Sequence, residues 1–233
     1  MKNTIQFTLL LALMSVAAMS CNKDRLQVDP VNEYLSSNYY QNEEQVSAAL
    51  IGAYDPIGWT MAYGQWISSV MFGEIRSDNA NAGGDPSDQD QQGWQELDDF
   101  NNTEMNVVLH PLYRRNYIGI ARANALLALT ELETPAVKVY KAEAKFLRAY
   151  YHFELFRHFG PIPVVTEPLD PSDVNLERNT MSEVMSQVVK DCQEAAELLP
   201  TIAPSGEEGR ATKGAAYALM GKAYLYWADL GGD

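Results

Sequence analysis

Cysteine is almost absent: the 233 residues contain two, Cys21 and Cys192. At most one bridge could form, so this is no disulfide-stapled scaffold and its stability must come from a packed core. Histidine is nearly as sparse. His110, His152 and His158 have no partner ligand three or four positions away on a shared helix face, so no zinc centre is expected. Neither a G-x-S-x-G elbow nor a Gly-rich phosphate loop occurs. Positive charge is in deficit, with 17 Lys and Arg against 31 Asp and Glu and a formal net charge of -14. Such a surface repels phosphate backbones and anionic headgroups, which argues against a nucleic-acid partner and leaves a neutral ligand unaffected. After the first 20 residues no stretch approaches the roughly 20 apolar positions of a membrane-spanning helix.

The amino end carries a different signal. Lys2 supplies a positive start, Ile5 to Val16 is an apolar run broken only by Gln6, Thr8 and Ser15, and small residues precede Cys21. Residues 1–20 therefore read as an export leader, too short to span a bilayer. A cysteine directly after a small residue is placed for lipoprotein processing, in which its thiol is acylated and the cysteine becomes the new N-terminus. The plainer alternative is cleavage near Ser20 that leaves Cys21 an ordinary thiol. Ala18 stands where such leaders usually carry Leu. Several acyl chains anchor a protein stably where one does so only marginally. Residues 21–41 then form a lipidated tether and entry segment, and 42–233 a helical domain.

Within that domain the apolar period is helical. A first helix is expected over 43–57, capped by Asn42 with Gln45 returning the bond, and burying Val46, Ala49, Leu50 and Ala53. A second is expected over 64–76, with Trp66 in the core, followed by a long polar loop over 77–102. Thr103 to Leu132 forms a third. Pro135 opens a fourth, at a position where its missing N–H costs nothing. That helix has two apolar seams, Val139-Ala142-Phe146-Ala149-Phe153-Phe156 and Tyr140-Ala144-Leu147-Tyr151-Leu155, and so is packed on both sides. Its third stripe, Lys138 to His152, reads as a solvated basic face, with Arg148 bonding a nearby carboxylate or carbonyl. Gly160, Pro161 and Pro163 end it and begin an extended crossing with a strand signal at 162–166. Thr180 and Glu183 make a capping box for the next helix, which buries Cys192 as an inert thiol. A last helix spans 211–230, with a small face of Ala211, Gly214, Ala218 and Gly221 and a large face of Tyr217, Met220, Tyr224 and Trp227. Its large-x2-apolar-Gly-x2-aromatic order approximates a tetratricopeptide helix, and Tyr140, Ala144 and Leu147 repeat it 77 residues earlier. The expected fold is mainly α, with tetratricopeptide-like helix pairs and long irregular loops.

Two segments carry a resemblance: EAKFLRAYYHFELFRHFGPIPVVTEP at 143–168 and GRATKGAAYALMGKAYLYWADLG at 209–231. With PLYRRNYIGIARANALL at 111–127 they resemble the SusD/RagB family of outer-membrane lipoproteins. The resemblance implies a SusD-like bundle of helix pairs that binds oligosaccharides at the exterior of the outer membrane. It also implies a lid role on a TonB-dependent, SusC-like transporter, with no catalysis and no cofactor. Asn22-Lys23-Asp24 resembles the Lys-acidic step that sends such lipoproteins to the cell surface. Family members continue considerably beyond the second motif, so the resemblance further implies that this chain is a truncated, N-terminal portion.

A glycan site needs flat rings for the apolar faces of pyranoses and short amides or carboxylates for vicinal hydroxyls. Residues 76–94 gather those types: Asp78, Asn79, Asn81, Asp88, Gln92 and Trp94, with Trp59 and Tyr63 nearby in sequence. Long loops in compact domains are often functional. The bland reading is a solvated linker with Trp94 in the core. Asp88, Asp90, Gln92 and Asp99 also echo a calcium loop, although Gln and Asp replace the usual ligands there and no flanking helix pair is evident. Two rivals stand beside glycan capture: a helical-repeat scaffold for a protein, and an α-helical glycoside hydrolase with paired carboxylates.

Overall fold

A computed structural model describes residues 39–62, 65–85, 87, 90–170, 172 and 175–229. The leader, Cys21 and the tether up to residue 38 lie outside the described residues. A compact unit begins at Tyr40. Seven α-helices occur among the described residues: α1 Glu43–Tyr54, α2 Ser69–Ile75, α3 Gln92–Asp98, α4 Leu109–Leu129, α5 Pro135–Phe159, α6 Met181–Leu198 and α7 Lys213–Asp229. A two-stranded hairpin, β1 Met61–Ala62 with β2 Gln65–Trp66, precedes α2. The predominantly helical fold read from the period is what the chain adopts.

Helices α4, α5, α6 and α7 pack in chain order, each on the next, and α1 lies against α4 and α5. Helix α5 is the hub because both of its apolar seams are filled; Ala144, Leu147, Ala149, Tyr151, Phe153 and Leu155 are all in the main core. Tyr151 shows how tightly. Its ring fills the space beside Gly119 of α4, where an added methyl would overlap it, and its hydroxyl donates to the Ala53 carbonyl of α1 at 2.6 Å. One side chain thus joins three helices.

Side-chain caps open α1, α5 and α6. Asn42 accepts from the Gln45 amide at 2.9 Å; the Gln45 side chain returns its bond one residue earlier than expected, to the Gln41 amide at 2.8 Å. Thr180 and Glu183 form the full capping box. Gly160 ends α5 with φ +68.

Several expectations are corrected. The second helix starts only at Ser69, because the preceding residues form the hairpin, whose partners are Met61 with Trp66 and Ala62 with Gln65. Trp66 consequently points outward, 45% exposed, while Ile67 takes the core position. The third helix begins at Leu109 and not Thr103. The loop 77–102 contains a helix of its own, α3. The basic stripe of α5 is solvated only at its start: Arg148 and His152 are buried. Residues 162–166 pair with no strand; side chains satisfy that backbone instead. Tyr117 donates to Pro163 O, Asn179 accepts from Val164 N, His152 accepts from Val165 N, and Arg148 donates to Thr166 O. Of the small face, Ala211 is buried just before α7, whereas Gly214, Ala218 and Gly221 are exposed; Ala216 and Ala223 enter the core instead.

Candidate functional site

A smaller apolar cluster lies beyond the main core and carries the loops. Phe72 and Ile75 of α2, Trp94 and Leu97 of α3, and Val108 and Leu112 of the α4 start are buried together. Gly93 permits this packing, since a Cβ there would press on Val108 and Val107. Asn106 locks it: its amide donates to Gly93 O at 2.9 Å and to Glu96 Oε2 at 2.8 Å, while its carbonyl accepts from Val108 N at 3.0 Å.

The hairpin is held from α4. Two strands of two residues are too short to persist unaided. Arg115, buried in α4, donates Nη1 to Ile67 O at 2.9 Å and to Trp59 O at 3.3 Å, and Nη2 to the Ser69 hydroxyl at 3.0 Å. Arg122 sits over the Trp59 ring, 5.7 Å from its centroid, and pairs with Asp55 at 2.8 Å.

Between α2, the segment leading into α4 and the ends of α5 and α7 opens a cleft of about 610 Å³. Phe72, Phe159 and Tyr226 supply aromatic walls; Arg76, Asn102, Thr103, Glu104, Arg157 and His158 supply polar ones. Arg76 donates to Asn102 Oδ1 at 2.9 Å. Arg157 pairs with Glu154 at 2.8 Å. Burial pushes the Glu154 carboxyl up, yet His158 and Arg157 beside it outweigh that and hold it down at about 2. His158 Nε2 stands 3.8 Å from Glu154 Oε2 and, although buried, has no hydrogen-bond partner. A mixed aromatic and polar cleft suits a polyhydroxylated ligand. A second recess of about 350 Å³ lies between α1 and the segment before α7. Of its polar members, Tyr54, Glu207 and Arg210 are already engaged in hydrogen bonds, which leaves Ser47 beside an apolar floor of Leu50 and Ile51.

The structure does not gather the sequence candidates into one place. Asp78, Asn79 and Asn81 are exposed on the loop, and Gln92 is exposed where α3 opens. Asn81 is engaged locally, accepting from Gly83 N at 2.7 Å, and Asp98 ties the loop back through Ala82 N at 2.9 Å. Trp59 is half-buried beneath Arg122. Trp94 is a core residue, 2% exposed, with its ring 4.9 Å from Phe72 in an edge contact; its side of α3 faces the small cluster. Tyr63 and Asp88 lie outside the described residues. The calcium-loop spacing is taken up by α3 between Gln92 and Asp98, and no three metal-ligating side chains gather among the described residues. Sequence reading missed the cleft residues. Arg76 and Asn102 border the polar loop in sequence, which was the available signal; Phe159 and Tyr226 had none, since each looks like helix packing.

A stack of helix pairs bearing loops and a cleft defines the structural class, and comparison gives the family. Residues 24–225 match the SusD-like family described as starch-binding and associating with the outer membrane; the chain belongs to that family. A SusD-like protein of Formosa agariphila is 28% identical over 196 residues, 82% of this chain and 37% of its own length. Among solved structures, a laminarin-binding SusD-like protein superposes with a TM-score of 0.71 at 32% identity, over 82% of this chain and 41% of that one. Surface glycan-binding protein A from Bacteroides uniformis does so with a TM-score of 0.73 at 29% identity, over 81% of this chain and 43% of that one. The chain spans less than half the length of these relatives.

Proposed function

We propose that the chain belongs to a glycan-binding lipoprotein that captures oligosaccharides non-covalently and performs no catalysis on them. The observation that carries this reading is the cleft: aromatic walls with arginine, histidine and amide groups at its rim, in a family described as starch-binding. Ring stacking and hydroxyl hydrogen bonds would hold the sugar. The buried carboxylates favour binding over hydrolysis. Glu143, Glu154 and Asp191 each answer an arginine (Arg210, Arg157 and Arg148), whereas a glycosidase needs two acids facing each other across a substrate. The exposed loop residues Asp78, Asn79 and Gln92 stay candidates for further hydroxyl contacts in this reading. Acylation of Cys21 would tether the protein to the outer membrane facing the exterior, and a TonB-dependent SusC-like barrel would receive the ligand.

Affinity gels and titration calorimetry against neutral polysaccharides test the binding. Retardation should occur on at least one glycan, and Tyr226→Ala should weaken it about tenfold, the range expected for losing one ring contact. A wild-type chain that binds no glycan would remove the proposal. Palmitate labelling tests the anchor separately: the label should enter the wild type and be absent from Cys21→Ser.

A further inference from the structure

The end of α3 breaks a local rule. Phe100 N donates to Leu97 O at 3.4 Å and Asn101 N to Glu96 O at 3.0 Å, the pair of bonds that closes a helix in the Schellman pattern. That pattern requires a left-handed residue after the cap, a position dominated by glycine because a Cβ is strained there. Here it is Phe100, with φ +55. Its ring does not compensate by packing inward, since it is 66% exposed. A large apolar side chain is therefore placed in water on a costly backbone, the combination expected where strain serves a site.

The surroundings say which site. The Arg76 guanidinium lies over the Phe100 ring, 4.9 Å from its centroid, and donates to Asn102 at 2.9 Å. Arg76 and Asn102 both line the cleft. The arginine splints one face of the ring against the cleft rim, and the ring's exposure leaves stacking area for a ligand. We propose that Phe100 is a sugar-stacking platform at the mouth of the cleft, positioned by Arg76, for one pyranose unit of the bound glycan. This rests on the glycan-binding reading above. A pyranose places axial C–H groups on such a ring while the remaining guanidinium hydrogens bond its hydroxyls.

The test uses the full chain, with laminarihexaose and the malto-, cello- and xylo-hexaoses as probes. Affinity by calorimetry and thermal midpoint are measured for wild type, Phe100→Gly and Phe100→Trp. Glycine relieves the left-handed strain, so Phe100→Gly should melt higher than wild type while binding at least tenfold more weakly; Phe100→Trp should retain binding. Unchanged affinity in Phe100→Gly overturns the platform and leaves glycan binding standing. Loss of both affinity and stability assigns Phe100 a structural role and also overturns it. A wild type that binds none of the four hexaoses defeats this inference together with the function on which it rests.

Discussion

Gly119 and Tyr151 form the contact on which the α4–α5 spacing depends. Because a methyl at 119 would overlap the Tyr151 ring, Gly119→Ala cannot be accommodated by moving a flexible chain end. The ring is fixed by its own hydrogen bond to Ala53 O. Overpacking of this kind costs about 1–3 kcal/mol, so urea denaturation should show a loss in that range, despite the better helix propensity of alanine. Tyr151→Phe keeps the packing and removes only the hydroxyl; its loss should be nearer 1 kcal/mol. Cys192 behaves as its seam position suggested. It is buried, and burial pushes its thiol up to about 12, which leaves it unreactive at neutral pH.

Elements show where sequence reading succeeds. Helices α5 and α6 were legible because their apolar periods run for many turns and their ends carry Pro135, Gly160 and the Thr180 box. Thr180→Ala should cost about 1 kcal/mol in the same assay. The hairpin and α3 were not legible, since two-residue strands and a seven-residue helix give too short a period; Arg115 and Asn106, distant in sequence, decide them. The crossing at 162–166 reads as strand for a good reason. Its backbone is hydrogen-bonded, but mostly to side chains. His152 is one of these partners, and it makes the element sensitive to pH. Its Nε2 accepts from Val165 N at 3.2 Å, which requires the neutral ring with its proton on Nδ1, facing Arg148 O at 3.0 Å. Burial drives its pKa down to about 4, against the pull of Asp191. Between pH 6.5 and 4 the unfolded chain therefore binds a proton that the folded chain refuses, and stability falls as pH falls through that window. The full effect is about 3 kcal/mol. Urea midpoints at pH 7 and pH 4.5 should diverge in wild type and converge in His152→Gln; equal divergence in both would exclude His152 as the cause.

At the scale of the whole molecule, the family and the helical stack were visible in the aromatic motifs, whereas the cleft was not. The cleft is assembled from α2, α5, α7 and the segment before α4, and no single stretch of sequence contains it. The same holds for the junction of Tyr54, Glu143 and Arg210. Glu143 accepts from Tyr54 at 2.7 Å and from Arg210 at 2.6 Å, and the Tyr54 hydroxyl accepts from Ala211 N at 2.8 Å. Glu143→Gln leaves Arg210 with Glu207 as its carboxylate partner, at 2.7 Å, and weakens the acceptor of the Tyr54 hydroxyl, so it should cost about 1–3 kcal/mol.

That junction also dictates how the protein opens. It closes chain intervals of 89 and 157 positions, so the end of α1 and the segment leading into α7 meet at one carboxylate and one hydroxyl. Their amides should exchange with deuterium at one common opening free energy, and Glu143→Gln should lower both values together instead of loosening one end.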